Sequence, residues 1–191
     1  MSFDATYGDK VAAIGTVNQP TSGSVVLEAG RVQYPFFHLT FTLNAARIPV
    51  TDGTTSGSYG TLKLFDFNQG SVRYIGSRQN YTAFAEGTAL TTGAGDAVHV
   101  LGLGTTAIAA AADGTLGTTE NDIGTKTSQI TNSSGTGTGT KHTAATTVAD
   151  GTGTATDLNL NWSGTAATID ANSTIDVTGT ITVVGVFMGD D

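Results

Sequence analysis

Between Phe37 and Leu43 the chain alternates without a break: Phe37, Leu39, Phe41 and Leu43 are apolar, and His38, Thr40 and Thr42 are polar. Period two sustained over this stretch predicts a half-buried strand. Pro35 and Pro49 bracket it, and proline confines its own position to a strand edge or a bend. Asp52-Gly53 and Ser56-Gly57 then mark a turn. Thr61–Phe67 and Ser71–Ile75 read as a hairpin around Asn68-Gln69-Gly70. Val98–Leu103 predicts a short apolar strand, and Asp157–Trp162 sets Leu158, Leu160 and Trp162 against Asn159 and Asn161. In Thr174–Met188, Ile175, Val177, Ile181 and Val183 share one face. The apolar phase then switches to Val184, Val186 and Met188, with Gly179 and Gly185 nearby. Such a switch predicts a bulge, or a corner where the strand changes sheets.

The helical signal is confined to Thr105–Ala112, where four consecutive alanines favour it and Asp113-Gly114 ends it. Glu86–Ala97 is small and polar. From Thr115 to Thr156 the chain is almost wholly Thr, Gly, Ser, Ala and Asn. The run Gly135–Thr140 within it predicts a flexible loop in preference to an edge strand. Short strands separated by turn signals mean a sandwich or barrel. No repeat of fixed period points to a solenoid or propeller. The expected fold is therefore all-β: an antiparallel β-sandwich, jelly-roll-like, with at most one short helix and long Gly/Thr-rich loops. It would occupy residues 1–191 as one domain, with a short N-terminal arm over about residues 1–10 and a candidate subdivision near 87–97.

Composition supports the same class. Of 191 residues, 26 are Gly and 36 are Thr, both poor helix formers, and Thr suits a pleated surface. Cys is absent, which excludes disulfides, thiolate metal sites and Cys nucleophiles. The start, Met1-Ser2-Phe3-Asp4-Ala5-Thr6, lacks the basic region and apolar core of a signal peptide, and no stretch of about 18 apolar residues exists. The expectation is a chain with no membrane partner. The four N-x-[ST] matches, at Asn80, Asn132, Asn161 and Asn172, read as chance in a Thr-rich sequence.

The net charge is −8, and it is unevenly placed. Residues 1–95 balance six basic residues against six acids, whereas residues 96–191 hold Lys126 and Lys141 against ten acids. Nucleic-acid binding leaves a basic stripe, so no nucleic-acid partner is expected. Nearly all the aromatic residues lie in the neutral first half.

Few segments could carry chemistry. Val98–Ile108 reads as a strand, then Gly102-x-Gly104-x-x-Ala107, then the alanine run, which is the local form of a dinucleotide-binding turn. Glu120 and Asp122 even fall at a tolerable distance for a ribose acid. That fold requires further crossover helices, however, and the chain offers none, so the glycines read as structural and no cofactor is expected. His38, His99 and His142 lack metal-ligand spacing. No G-x-S-x-G elbow is present. The acids at Glu120–Asp122 and Asp150–Asp157 do not follow a spaced Ca²⁺ loop. No catalytic, cofactor-binding or metal residues are assigned, and the chain reads as a contact protein, not an enzyme.

Glu28-Ala29-Gly30-Arg31-Val32 with Pro35–Phe41 resembles the opening of small proteins encoded in tailed-phage head modules. The tail Ile169–Val183, with its Gly189-Asp190-Asp191 terminus, does so too. Both are similar in style to capsid decoration, or cement, proteins. The resemblance implies a β-sandwich or jelly-roll core, commonly trimeric, bound to the outside of the capsid. The partners would be the major capsid protein and further copies of the chain. The protein would be made in the host cytoplasm and end on the virion exterior, where an acidic chain is clear of the packaged phosphate. It brings no catalytic residues.

Interface centres favour aromatic residues and arginine, so the first half is the expected docking side. Its candidates are Phe3 and Tyr7 in the arm, and Arg31, Arg47, Arg73 and Arg78, each able to hold a carboxylate through two hydrogen bonds. Much of the aromatic set would then be shared between neighbouring subunits and not held in one core. The alternative reading is a receptor- or glycan-binding module of a tail fibre or adhesin. Exposure of Tyr59, Tyr74 and Tyr81 would favour that alternative.

Overall fold

The structure is a computed structural model. It describes residues 14–33, 35–53, 57–86, 99–110, 115–130, 139–144, 147–151, 153–164 and 172–189. For 28–33, 83–86, 99, 125–130, 139–144 and 189 the description covers the backbone alone.

The described residues form one antiparallel sheet and no helix, as the alternating pattern and the Thr content predict. Its strands are β1 (Gly15–Val17), β2 (Ser24–Gln33), β3 (Phe36–Asp52), β4 (Ser58–Phe67), β5 (Ser71–Glu86) and β6 (His99–Gly104). They continue with β7 (Gly124–Ile130), β8 (Gly139–Ala144), β9 (Val148–Ala149), β10 (Asp157–Gly164) and β11 (Ser173–Gly189). The spatial order is β7-β6-β10-β4-β3-β11-β5-β8, with β1 on β4, β2 on β3 and β9 on β5. The sheet curls into a half-barrel, compatible with a sandwich or jelly-roll-like class.

Inside the curl lies one aromatic core. Phe37, Phe41, Phe65, Phe67, Tyr74, Tyr81 and Trp162 are all buried in it. Phe65 and Phe67 meet edge to face at 4.8 Å, and Phe37 lies 5.5 Å from Phe67. Offset and edge-on pairs are the favoured geometry for rings. The aromatic residues expected to be shared between subunits are thus spent on the chain's own interior.

β3 keeps Phe37, Leu39, Phe41 and Leu43 inward, then slips phase at Asn44–Ala45 and continues inward with Ala46, Ile48 and Val50. Ala45 takes φ of 47°, the left-handed region that a Cβ disfavours, and its N–H donates to Thr178 Oγ1. Pro49 lies inside this strand, beyond which pairing with β4 begins only at Val50–Gly60. It therefore occupies a stretch where β3 has no neighbour on the β4 side.

The structure corrects four expectations. Thr61–Phe67 and Ser71–Ile75 do not pair as a hairpin: β3 and β11 lie between β4 and β5. Asn68–Gly70 instead crosses the mouth of the curl, and the two strands meet through Phe67 and Tyr74, edge to face at 6.1 Å. Part of the Gly/Thr-rich stretch is strand: β8 pairs with β5 from Gly76–Ala144 to Tyr81–Gly139, and β9 follows. The rest of Gly135–Thr140, residues 135–138, lies outside the described residues.

The third correction concerns β11. It holds one phase throughout, with Ile175, Val177, Gly179, Ile181, Val183, Gly185 and Phe187 buried. Val184 and Val186 are half-buried on the other face and Met188 is exposed there. The register irregularities expected near Gly179 and Gly185 are present, but the sheet is not exchanged. The fourth is the helix at Thr105–Ala112, which over its described residues, 105–110, is irregular. The candidate subdivision near 87–97 lies outside the described residues.

Candidate functional site

Two regions of the sheet's outer face stand out, one covered and one bare. The covered region is on β6 and β10. Leu158, Leu160 and Trp162 face the core, so period two sends Asn159, Asn161 and Ser163 outward, yet these are buried as well. Residues 105–110 and 115–123 lie across them as a strap. Asn161 Oδ1 accepts from the Ile108 N–H at 3.0 Å, and its Nδ2 donates to the Thr106 and Glu120 carbonyls, each at 2.8 Å. Asn159 Nδ2 reaches the Thr105 carbonyl at 3.4 Å. In a helix the Thr105 and Thr106 carbonyls would accept from Ala109 and Ala110. Here asparagines from β10 occupy them, and this is why residues 105–110 do not coil.

Asp122 completes the strap. Its carboxylate accepts from Thr105 N–H and Thr105 Oγ1, both at 2.9 Å, while burial pushes its pKa up. Val100, Ile108 and Leu116, with Tyr59 against them, form a small second core beneath the strap. Gly102 and Gly104 are the glycines of the G-x-G. A Cβ on Gly104 would lie 2.4 Å from the Glu120 carbonyl carbon, and one on Gly102 would lie 2.6 Å from Leu116 Cδ1. Those glycines admit the strap against the strand, which accounts for them without a phosphate.

The bare region is on β3, β11, β5 and β9. Register places Phe36 opposite Val186, Val186 opposite Arg73, and Arg73 opposite Val148, in one row across four strands. Phe36 is 57% exposed, Val148 54%, Ile75 45% and Met188 40%. Among the described residues only Val26 joins them as an exposed large apolar side chain. Singly scattered apolar residues are ordinary on a surface, whereas a contiguous group marks a contact site. Arg73 and Arg78 are exposed on the same face and form no ion pair among the described residues.

The six expected docking residues separate accordingly. Phe3 and Tyr7 lie outside the described residues. Arg31 lies in β2, where only the backbone is described, opposite His38. Arg47 is committed elsewhere: its Nε and Nη2 hold both Asp176 oxygens, at 2.7 and 2.8 Å, and this partner raises its pKa. Arg73 lies in the apolar row, and Arg78 is exposed on the same face further along β5, opposite Thr182. Phe36, Ile75, Val148 and Met188 were not among the sequence candidates. The available signal was the apolar triplet Val184, Val186 and Met188, which the pattern assigned to an interior.

Beside Arg47, a shallow open groove of about 270 Å³ runs along Pro20, Pro49 and Leu62 to Lys63. Lys63 pairs with Asp157 at 2.9 Å and with Asp66 at 3.7 Å, so both cations of the groove already face carboxylates. Tyr74 and Tyr81 are buried, with phenol pKa values driven far above the usual range by desolvation, and Tyr59 packs under the strap. Tyr74 and Tyr81 therefore offer no ring to stack on a sugar, and Tyr59 is half-buried. No group of three or more His, Asp or Glu is placed to hold a metal among the described residues. No protein-family model, curated protein or solved structure matches the chain.

Proposed function

We propose that this chain is a structural, non-catalytic protein that binds the outside of a tailed-phage capsid and decorates or cements its subunits, as a homo-oligomer of which a trimer is the expected form. The observation that carries the reading is the bare, largely apolar row Phe36–Val186–Arg73–Val148, with Arg78 on the same face and neither arginine in an ion pair among the described residues. An apolar centre with arginine at hand is the usual make-up of a protein docking surface. The resemblance of the chain's two ends to decoration proteins supplies the identity of the partner. The curled all-β fold is consistent with the fold that the resemblance implies.

The test is co-sedimentation with shells assembled from the major capsid protein of the head module that encodes the chain. Native mass is measured in parallel. The expected result is saturable binding to intact shells at micromolar concentration, and an oligomer in solution. A chain that stays in the supernatant with intact shells overturns the reading.

A further inference from the structure

We infer that the bare face takes a protein surface with an apolar centre and a carboxylate rim, and that it is not a self-contact between two copies related by a two-fold axis. The inference rests on the decoration reading and names the surface by which it would act. The described side chains around the row are Phe36, His38 and Thr40 of β3, Thr182, Val184, Val186 and Met188 of β11, Arg73, Ile75 and Arg78 of β5, and Val148 of β9. None is acidic. The nearest outward acid on β11, Asp176, lies toward the far end of that strand and is held by Arg47. Asp150, two residues beyond Val148, is exposed and lies past the end of β9.

The charge argument then selects the occupant. A two-fold axis running along this row would set Arg73 near Arg73 of the second copy, with no acid of the row between them. Like charges brought together in a drying interface oppose association. A partner bearing Asp or Glu around an apolar patch answers both features. Its apolar centre covers Phe36, Ile75, Val148 and Met188, and its carboxylates accept paired hydrogen bonds from the guanidinium groups. The chain as a whole carries −8, so charge favours the orientation that presents this locally cationic face to an acidic partner. Polyphosphate fits less well, because it offers nothing to cover four exposed apolar side chains.

Two double variants test this on the full-length chain with the same shells: Phe36→Ser with Ile75→Ser, and Arg73→Glu with Arg78→Glu. Both change exposed side chains, and a melting temperature equal to that of the parent confirms folding. The expected result is a loss of roughly ten- to thirty-fold in shell affinity for each, the size of a hot-spot residue's contribution. Parent binding should weaken between low and high salt, and the charge-reversed variant should lose that dependence. Four outcomes are distinguishable. Parental shell binding by both variants overturns the inference and leaves the decoration reading standing. A fall to monomer mass in either variant makes the face a self-contact and overturns the inference. Loss of binding only in the apolar variant removes the carboxylate rim and overturns it in that form. A parent that does not bind shells overturns the decoration reading, and the inference falls with it.

Discussion

The outside of the sheet carries two regions whose chemistry is the reverse of what their exposure suggests. On β6 and β10 the outward side chains are Asn159, Asn161 and Ser163, and they are buried beneath the strap. On β3, β11, β5 and β9 they are Phe36, Val184, Val186, Met188 and Ile75, and that face has no strap over it among the described residues. The polar region can be covered because its asparagine amides are answered: Asn161 alone satisfies one N–H and two carbonyls of the strap, and of the three side chains only Ser163 Oγ has no partner. A buried amide costs free energy unless it is hydrogen-bonded. The apolar region has no such requirement, since it needs only a surface laid over it. The strap is held by polar contacts together with the small apolar core of Val100, Ile108 and Leu116.

The comparison can be broken most forcefully at Asn161. Asn161→Ala removes three hydrogen bonds and leaves strap groups buried without partners, and it is expected to cost about 3 kcal/mol or more. Urea denaturation followed by the emission of Trp162, the single tryptophan and a buried one, measures this. Faster amide exchange across 105–110 and 115–123 should accompany it. A loss below about 0.5 kcal/mol would mean that the asparagine does not hold the strap.

Gly104→Ala comes next. Its methyl group would overlap the backbone at Thr119–Glu120, so the strap must lift, at an expected cost of about 1–3 kcal/mol. The same measurement reads it. An unchanged midpoint would show that strap and strand do not lie in contact.

Asp122→Asn sharpens the electrostatic part. Burial raises the Asp122 pKa above its ordinary value of 3.8, so the folded chain holds that proton more tightly than the unfolded one. The carboxyl therefore contributes its full stability below 3.8, and that contribution is lost as pH rises through the raised value. The variant should lack this decline. Denaturation midpoints of both proteins between about pH 3.5 and 6 give the comparison, and parallel profiles would contradict it.

The smallest effect is expected at the bare face. Phe36→Ser with Ile75→Ser should change stability by less than about 0.5 kcal/mol, because neither side chain is part of the core. A loss of several kcal/mol would mean that these residues support the fold and are not held for a partner.

Much of the strand content was legible in the sequence. Phe37–Leu43, Asp157–Trp162 and Thr174–Met188 all lie in strands, because alternation is a local property of an extended backbone. The helix at Thr105–Ala112 was misread for a physical reason. Alanine favours coiling only while its backbone groups are free to bond along the chain, and those of Thr105, Thr106 and Ile108 are taken by Asn159 and Asn161 from β10. The site was half legible. Residue type marked Arg73 and Arg78 as available cations, but it marked Arg47 equally, and only the pairing of β3 with β11 shows Asp176 consuming it.

The sequence by itself determined that the chain is all-β, where several of its longest strands run, and that it holds no Cys chemistry. Tertiary structure decided which strands are neighbours, turning the apparent hairpin at Asn68–Gly70 into a crossing between β4 and β5. It also decided which outward faces are covered: Asn159 and Asn161 went under the strap while Val184, Val186 and Met188 stayed outside. The division follows from range. Alternation is written into adjacent residues, but a strand has two faces and two edges, and what lies against each is set by segments far away along the chain.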